Sequence, residues 1–440
     1  MEGHKELDPI ASWSNVAKTT TELRKFDMRD WSDAQLSQKT VLPRGSGRSF
    51  GDAAFNRSGI TFHSLGLKQL QINAEQHSVT CDAGVLIGQL HQTLDSSGWH
   101  FPVYGGTQWV TVGGAVASDI HGKNHPAAGS FGKFVLSLEL VLPDTSVVVC
   151  SPEKESALFC ATVGGMGLTG FIRRLTLRIL PEQQEMLTVS WFTVRGMQEV
   201  YDAFKEKNQT YQICGFVDFS RSDVRGLYSS AVEADIPYLS TNSRTCTLKL
   251  PKVCPWGPKT IRALDVLAHN LPAPLKKYMH PRDYNYSGTS ERLMSWNSLY
   301  GRTGFFEYQF ALQLGEFQQA INHLRNDARN RGLNLCFAVI KRFGSGGPGF
   351  LSFPREGFTC NFQVRASDEA RNYLIDLTDR LSDLGAHIYL AKDAVLLHRH
   401  VPKLFPKLAR WQQVAREADP EGRVSSDLSV RLGLKPWAKK

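Results

Sequence analysis

The sequence predicts an α+β protein of two domains, and three observations carry that reading. Its 440 residues exceed what a single hydrophobic core organises, so the chain should divide. From about residue 40 to 185, short β-branched segments alternate with glycine, the pattern of strands joined by tight turns. Beyond Pro181, segments of helical period alternate with further strands, as in an antiparallel sheet covered on one face by helices.

In chain order, "SGITFHSL", "HSVTCDAGV", "FVLSLELVLPDTSVVVC" and "TGFIRRLTLRIL" read as strands of the first half. "LIGQLHQTLDSSG" repeats its apolar residues once per turn and stops at Gly98, so it reads as a helix. In the second half "MQEVYDAFKEKN", "EFQQAINHLRNDARNRG" and "SDEARNYLIDLTDRLSDLG" read as helices, each closing near Gly or Asn. The strands between them are "YQICGFVDFS", "GFFEYQFALQL", "LCFAVIKRF" and "FTCNFQVRA". One stretch stands apart. Arg244 to Asp283 holds eight Lys/Arg against one aspartate before its last residue, and prolines break it too often for a core element. It reads either as a mobile surface loop or as a basic flap. Such a flap would rest on an anionic membrane or close over a phosphate-bearing ligand.

Hydrophobic and charged fractions of 42% and 21% are those of an ordinary soluble protein. The formal charge of +9 suits an anionic ligand, an anionic membrane surface or nucleic acid. No nucleic-acid-binding signature is present, so nucleic acid is not an expected partner. The N-terminus lacks a signal-peptide pattern, and no stretch reaches the ~18 apolar residues of a membrane span. The eight cysteines are scattered without a C-x-x-C pair, which argues against a disulfide framework and against a metal site. Reduced thiols in the cytoplasm are the expectation.

Three glycine-rich segments mark the first half: "RGSGRSFGDAAFN", "GGTQWVTVGGAVASDIHG" and "ATVGGMGLTGF". Clustered glycines let backbone N–H groups approach an anion without side-chain obstruction. "GSGRSFG" is followed by polar "GDAAFN" with no helix period, so it is not a Rossmann turn. Three such segments in one strand-rich domain point to a large phosphorylated cofactor. Directly after the small-residue run "VTVGGAVA", "SDIHGKNH" sets Asp119, His121, Lys123, Asn124 and His125 around Gly122. That density of titratable groups suggests a reactive centre; a solvated turn capped by Asp119 is the plainer alternative.

The quoted glycine segments resemble the FAD-binding domain of vanillyl-alcohol-oxidase-type flavoproteins. Within that superfamily, "DIHGKNHPAAGSFG", "WNSLYGRTGFFEYQF", "YLAKDA" and "SSDLSVRL" are similar, in the same order, to the decaprenylphosphoryl-β-D-ribose 2′-oxidase family. The resemblance runs from about residue 40 to 435 and implies a two-domain flavoprotein. Residues 1–185 would form the FAD domain, 186–386 the substrate domain with its helix-covered antiparallel sheet, and 387–440 a return to the FAD domain. The implied activity is FAD-dependent oxidation of the 2′-hydroxyl of a polyprenylphosphoryl ribose to a keto sugar. A separate NAD(P)H-dependent short-chain reductase would complete the 2′-epimerisation to an arabinose donor for cell-wall or surface polysaccharide. A cytoplasmic protein, peripheral at the inner face of the membrane, would fit this substrate. Two alternatives stay open: an aldonolactone or alditol oxidase acting on a soluble polyol, and a flavin-free scaffold that kept the fold.

The resemblance carries cofactor contacts onto Arg44, Gly45, Ser46, Gly47, Arg48, Ser49 and Phe50 in the first segment. In and just after the second it implies Gly106, Thr107, Val112, Gly113, Ala117, Ser118, His121, Gly122 and Asn124, and in and just after the third Gly167, Gly170 and Ile172. Many relatives tether FAD through a histidine where this chain has Arg48. Arginine cannot form that bond but can pair with phosphate or carbonyl oxygens, so non-covalent FAD is expected. Alcohol oxidation by a flavin needs a hydride acceptor, a proton acceptor and positive charge near the reduced ring. By resemblance Lys392 in "YLAKDA" supplies the cation and also touches FAD; a surface lysine paired with Asp393 is the plainer reading. His121 would bind the flavin or take the proton, and Tyr389 would donate its phenol or simply pack. Lys123, Phe216, Glu307, Gln309, Lys341 and Asn361 would line the sugar site. Alternation lets only one of Cys360 and Asn361 face it, with Asn361 favoured. Four departures concern the pocket: Phe50 for a tyrosine, Phe216 for a tryptophan, Glu307 for a glutamine and Asn361 for a cysteine.

Overall fold

The computed structural model describes residues 8–36, 39–57, 59–181, 185–206, 210–237, 257–269, 275–286 and 296–438. The first part of the chain builds two small sheets. Asp8–Ala11, Lys18–Lys25, Ile60–His63 and Val41–Arg44 form one, in that spatial order, with the last two pairings parallel. Its first two strands escape a hydrophobic-pattern reading because Lys18–Lys25 buries Thr21 and Glu22 rather than a run of apolar residues. The other sheet is antiparallel, in the order Leu70–Asn73, Ser78–Asp82, Phe171–Arg178, Val135–Val141 and Val147–Cys150.

The run after the second glycine segment folds as a short helix, Val112–Ala117, begun by the Thr111 hydroxyl accepting the Gly114 N–H at 3.2 Å. Its small residues let the backbone close on the turn after Ser78–Asp82: Val112 N donates to Val85 O at 2.8 Å and Gly113 N to Ala83 O at 3.0 Å. The expected helices are present as Ile87–Asp95, Gly196–Ala203, Leu314–Asn330 and Asp368–Asp383.

The second part is built on an eight-stranded antiparallel sheet. Its order is Leu275–Met279, Glu185–Arg195, Arg225–Pro237, Tyr211–Asp218, Cys336–Phe343, Gly357–Arg365, Phe305–Leu312 and His387–Ile388. Phe305–Leu312 is buried along its whole length. Phe310 meets Phe317 of Leu314–Asn330 at 5.9 Å, and the Tyr308 hydroxyl bonds Thr378 of Asp368–Asp383 at 2.7 Å. Each such apolar side chain contributes about 1.5–3 kcal/mol on burial. Period-two alternation therefore sends Glu307 and Gln309 to the other face, the one without these helices.

The Arg244 to Asp283 stretch does contain regular structure. A helix, Pro258–His269, places its proline in the first turn, where the missing N–H costs nothing, and Leu275–Met279 is the edge strand of the large sheet. Residues 244–256 and 270–274 of that stretch lie outside the described residues. Among the described residues, no helix is long and apolar enough to cross a membrane.

After His387–Ile388 the chain crosses to the first part of the molecule. Ala391 O accepts the Phe50 N–H at 2.9 Å, Arg423 O accepts the Val41 N–H at 2.9 Å, and the Trp411 indole donates to Ala161 O at 3.0 Å. That crossing sets "YLAKDA" against the first glycine segment.

Candidate active site

Between the glycine segments and the helix-free face of the large sheet lies a cavity of about 680 Å³. The loop 45–50, Gly106, Thr107, Ser118, His121 and Lys123 form one wall. Glu307, Gln309, Lys341 and Asn361 project from the sheet, and Tyr389 and Lys392 close the space from the returning segment. A second cavity of about 80 Å³ shares Gly45, Ser49, Ala54, Gly114 and Ser118 with the first, and runs on to Arg44, Gly113, Ala117, Gly167, Gly170 and Ile172. Together they form an elongated space walled by small residues at one end and polar side chains at the other.

That shape fits FAD. At Gly45 an added methyl would collide with the Thr111 hydroxyl, and Gly47 has φ +66°, so the loop can take this course along the cavity only with glycine at both positions. The Trp109 indole N–H at this wall is buried with no hydrogen-bond partner among the described residues, a donor in need of a ligand acceptor. Loop 45–50, Gly106, Thr107 and Ser118 would hold the cofactor on one side, and Gly167 to Ile172 its far end. Three expected contacts fall outside both cavities. Val112 is fully buried core, with its N–H spent on Val85 O. Asn124 donates to Pro102 O at 2.9 Å, and Gly122 packs beside the Asn124 side chain, so both shape the turn rather than line the space.

The "DIHGKNH" cluster thus divides between scaffold and site. Asp119 is fully buried, accepts the Gly132 N–H at 2.8 Å and has its carboxyl pushed up by burial. His125 accepts the Gly344 N–H at 3.1 Å, and burial holds it down to about 3. His121 and Lys123 line the cavity. Lys123 donates to Tyr284 O at 2.7 Å and lies 4.5 Å from that ring; burial lowers it to about 8.

A chain of hydrogen bonds fixes how His121 presents itself. The Thr359 hydroxyl donates to Phe310 O at 2.8 Å, so its oxygen must accept from Gln309 Nε2 at 3.0 Å. The same Gln309 NH₂ group faces His121 Nε2 at 3.1 Å. His121 Nε2 is therefore an acceptor, and the imidazole proton sits on Nδ1. Burial, followed by the charges of Lys341, His125 and Lys392, pushes this histidine well below its ordinary range, so the ring is neutral. With one nitrogen occupied and the other protonated, His121 has no free acceptor. This arrangement favours His121 as a donor over the expectation that it takes the substrate proton.

Lys392 pairs with Glu307 Oε1 at 2.8 Å and not with Asp393, which is held by Arg431. Asn361 Nδ2 donates to the same Glu307 oxygen at 3.0 Å. Lys341 has no carboxylate partner among the described residues, and burial, then the Lys392 charge, lowers it to about 7. Tyr389 stacks on Phe353 at 4.8 Å, and burial raises its phenol, so it stays protonated. Cys360 is fully buried opposite Phe310, away from the cavity that Asn361 lines. Phe216 borders the cavity but packs its ring on Phe219 at 4.7 Å; Ile213, Gly215 and Val217 occupy the alternating face. Sequence reasoning missed Thr359, two residues before Asn361 on the same strand, where alternation was signal enough. It also missed Trp13, Trp191 and Trp296, which line the cavity and carry no motif.

Residues 29–151 match a family model described as an FAD binding domain. A decaprenylphosphoryl-β-D-ribose oxidase of Mycolicibacterium smegmatis is 30% identical over 428 residues, 91% of each chain. The chain belongs to the decaprenylphosphoryl-β-D-ribose oxidase family. More limited similarity joins it to the L-gulonolactone oxidase of Mus musculus, 29% identical over 186 residues, 42% of this chain and 41% of that one. The D-lactate dehydrogenase of Archaeoglobus fulgidus is 30% identical over 156 residues, 34% of this chain and 35% of that one. This family member is an FAD-dependent oxidoreductase with a two-domain α+β fold of the vanillyl-alcohol-oxidase type. Arg48, which the resemblance sets in place of a tethering histidine, lines its cavity with the guanidinium 4.3 Å from the Trp13 ring. Acid precipitation should therefore leave the yellow flavin in the supernatant and the pellet colourless.

Proposed function

We propose that this chain oxidises the 2′-hydroxyl of a polyprenylphosphoryl ribose to the keto sugar, the first half of a 2′-epimerisation. The observation that carries the proposal is the charge layout of the main cavity. Lys123, Lys341 and Lys392 line it together with Glu307, the one carboxylate among the described lining residues. Trp191, Ile213, Val217 and Leu227 add an apolar wall, and Leu227 is 40% exposed, so that wall reaches the surface. An anionic phosphate, a polar ring and an apolar chain each find matching surface there.

FAD, when bound, supplies the hydride acceptor. Lys392, fixed on Glu307, brings positive charge to the place where the reaction builds negative charge. Neutral His121 and protonated Tyr389 act as donors that orient the ring, while Gln309 and Asn361 set the sugar's register on the sheet. Lys123 and Lys341 meet the phosphate. The keto product requires a separate NAD(P)H-dependent short-chain reductase to deliver hydride from the opposite face. Peripheral membrane contact is supported by Leu275–Met279, where exposed Leu275 and Tyr278 flank exposed Lys276 and Lys277. Its register sets Leu275 opposite Trp191 of the cavity wall.

The test is anaerobic bleaching of the purified holoenzyme with a panel of prenylphosphoryl pentoses and free polyols. Bleaching by the prenylphosphoryl ribose is expected; bleaching by polyols alone would move the chain to the alditol-oxidase reading. The pH dependence has a defined sign. Lys341 and Lys123, held down to about 7 and about 8, carry charge below those values and lose it above. Affinity for the phosphorylated ligand should therefore fall as pH rises through that window, by up to about tenfold per unit for each lysine.

A further inference from the structure

Glu307 is buried (5% exposed), and its two oxygens are in different situations. Oε1 is filled by Lys392 Nζ at 2.8 Å and Asn361 Nδ2 at 3.0 Å. Oε2 is buried with no hydrogen-bond partner among the described residues. Two residues on, along the same strand face, Gln309 Oε1 is in the same condition, because its NH₂ group is committed to Thr359 and His121. Leaving a buried carboxylate oxygen unsatisfied is costly, and a carboxylate can only accept. Both acceptors belong to residues that line the cavity; Lys392 is already on the opposite oxygen of Glu307, Lys123 is on Tyr284 O, and Lys341 makes no ion pair with Glu307. The missing donors therefore belong to a ligand, and two acceptors on one strand face match the spaced hydroxyls of a sugar ring.

We propose that Glu307 is the specificity-determining residue of this pocket: its Oε2 accepts a hydrogen bond from a ring hydroxyl, and ligands lacking that hydroxyl are rejected. The inference rests on the proposed sugar ligand and adds what the pocket demands of it. A glutamine here would keep an oxygen for Lys392 and Asn361 but present an NH₂ donor in place of the Oε2 acceptor. The carboxylate thus makes the demand for a ligand donor absolute.

Dithionite-reduced holoenzyme binds a substrate without oxidising it, so dissociation constants can be measured directly by calorimetry. The ligands are a short-chain prenylphosphoryl ribose, its 2′-deoxy and 3′-deoxy analogues, and prenyl phosphate alone. With the native chain, one deoxy analogue should bind about ten- to a hundredfold more weakly than the parent, the range for a hydrogen bond to a charged group. In Glu307→Gln that ratio should shrink to about threefold or less, with prenyl phosphate alone measured alongside to separate the change of charge beside the lysines from the lost acceptor. Equal affinity of native protein for the parent and both deoxy analogues, or an unchanged ratio in the variant, overturns the proposal. If no prenyl phosphate binds at all, the proposed substrate fails instead. Free pentitols and their deoxy counterparts then take the place of the prenylphosphoryl ligands, and the same ratios decide for or against Glu307.

Discussion

Lys392→Ala should leave the flavin bound and slow its anaerobic reduction by substrate about 10²- to 10³-fold, the cost of losing one fixed charge-stabilising donor. The cofactor should stay because Lys392 is not part of the glycine-lined space at the far end, and the neighbouring tie between Phe50 N and Ala391 O is made by backbone. The lysine's own neighbours explain the size of the effect. Its side chain is only 18% exposed, and its ammonium is anchored on Glu307 at 2.8 Å and lies 5.5 Å from the Phe50 ring, so the charge is held in place rather than mobile. Stopped-flow loss of the yellow absorbance gives the rate, and the visible spectrum before mixing gives flavin occupancy. A variant that loses its colour on purification would mark Lys392 as structural. A coloured variant reduced at the native rate would remove it from the chemistry.

What the sequence showed of this site follows the range over which each signal acts. Helix periodicity and a closing glycine are local, and Leu314–Asn330 followed by Gly332 at φ +66° could be read directly. Strand alternation is local too, and it put Glu307 and Gln309 on one face and separated Asn361 from Cys360. The "DIHGKNH" cluster misled in part because proximity in sequence does not distinguish scaffold from site. Only the fold shows Asp119 and His125 holding backbone while His121 and Lys123 reach the cavity. The tautomer of His121 depends on Gln309, 188 residues away, and on Thr359 beyond it. The strands Glu185–Arg195 and Arg225–Pro237 escape the pattern because serines and threonines interrupt their apolar residues. They are held instead by pairing to each other along nearly their whole length. The partner of Lys392 followed the same rule: Asp393 is adjacent in sequence, and Glu307, 85 residues away, is the contact.

Arg431→Ala should cost about 3–5 kcal/mol of stability, the range for breaking a buried pair by removing one partner. Arg431 joins two segments that are remote in sequence. Its Nε and Nη2 reach both oxygens of Asp52, at 2.9 and 2.6 Å, and Nη2 also reaches Asp393 Oδ2 at 2.9 Å. Asp52 lies within the first glycine segment, and Asp393 follows Lys392. The other Asp393 oxygen accepts the N–H groups of Val395 and Leu396, both at 2.8 Å, so its carboxylate shapes the turn that delivers Lys392 to Glu307. Asp393 is fully buried; without the guanidinium its Oδ2 would be an uncompensated charge. The variant should therefore melt earlier, bind FAD more weakly and reduce it more slowly, all from one lost side chain. Arg431→Lys separates charge from geometry: it restores a cation but not the two-pronged fork, and should recover only part of the loss. A melting temperature and FAD affinity unchanged in Arg431→Ala would show that the returning segment docks by its apolar contacts alone. The position of Lys392 would then need another explanation.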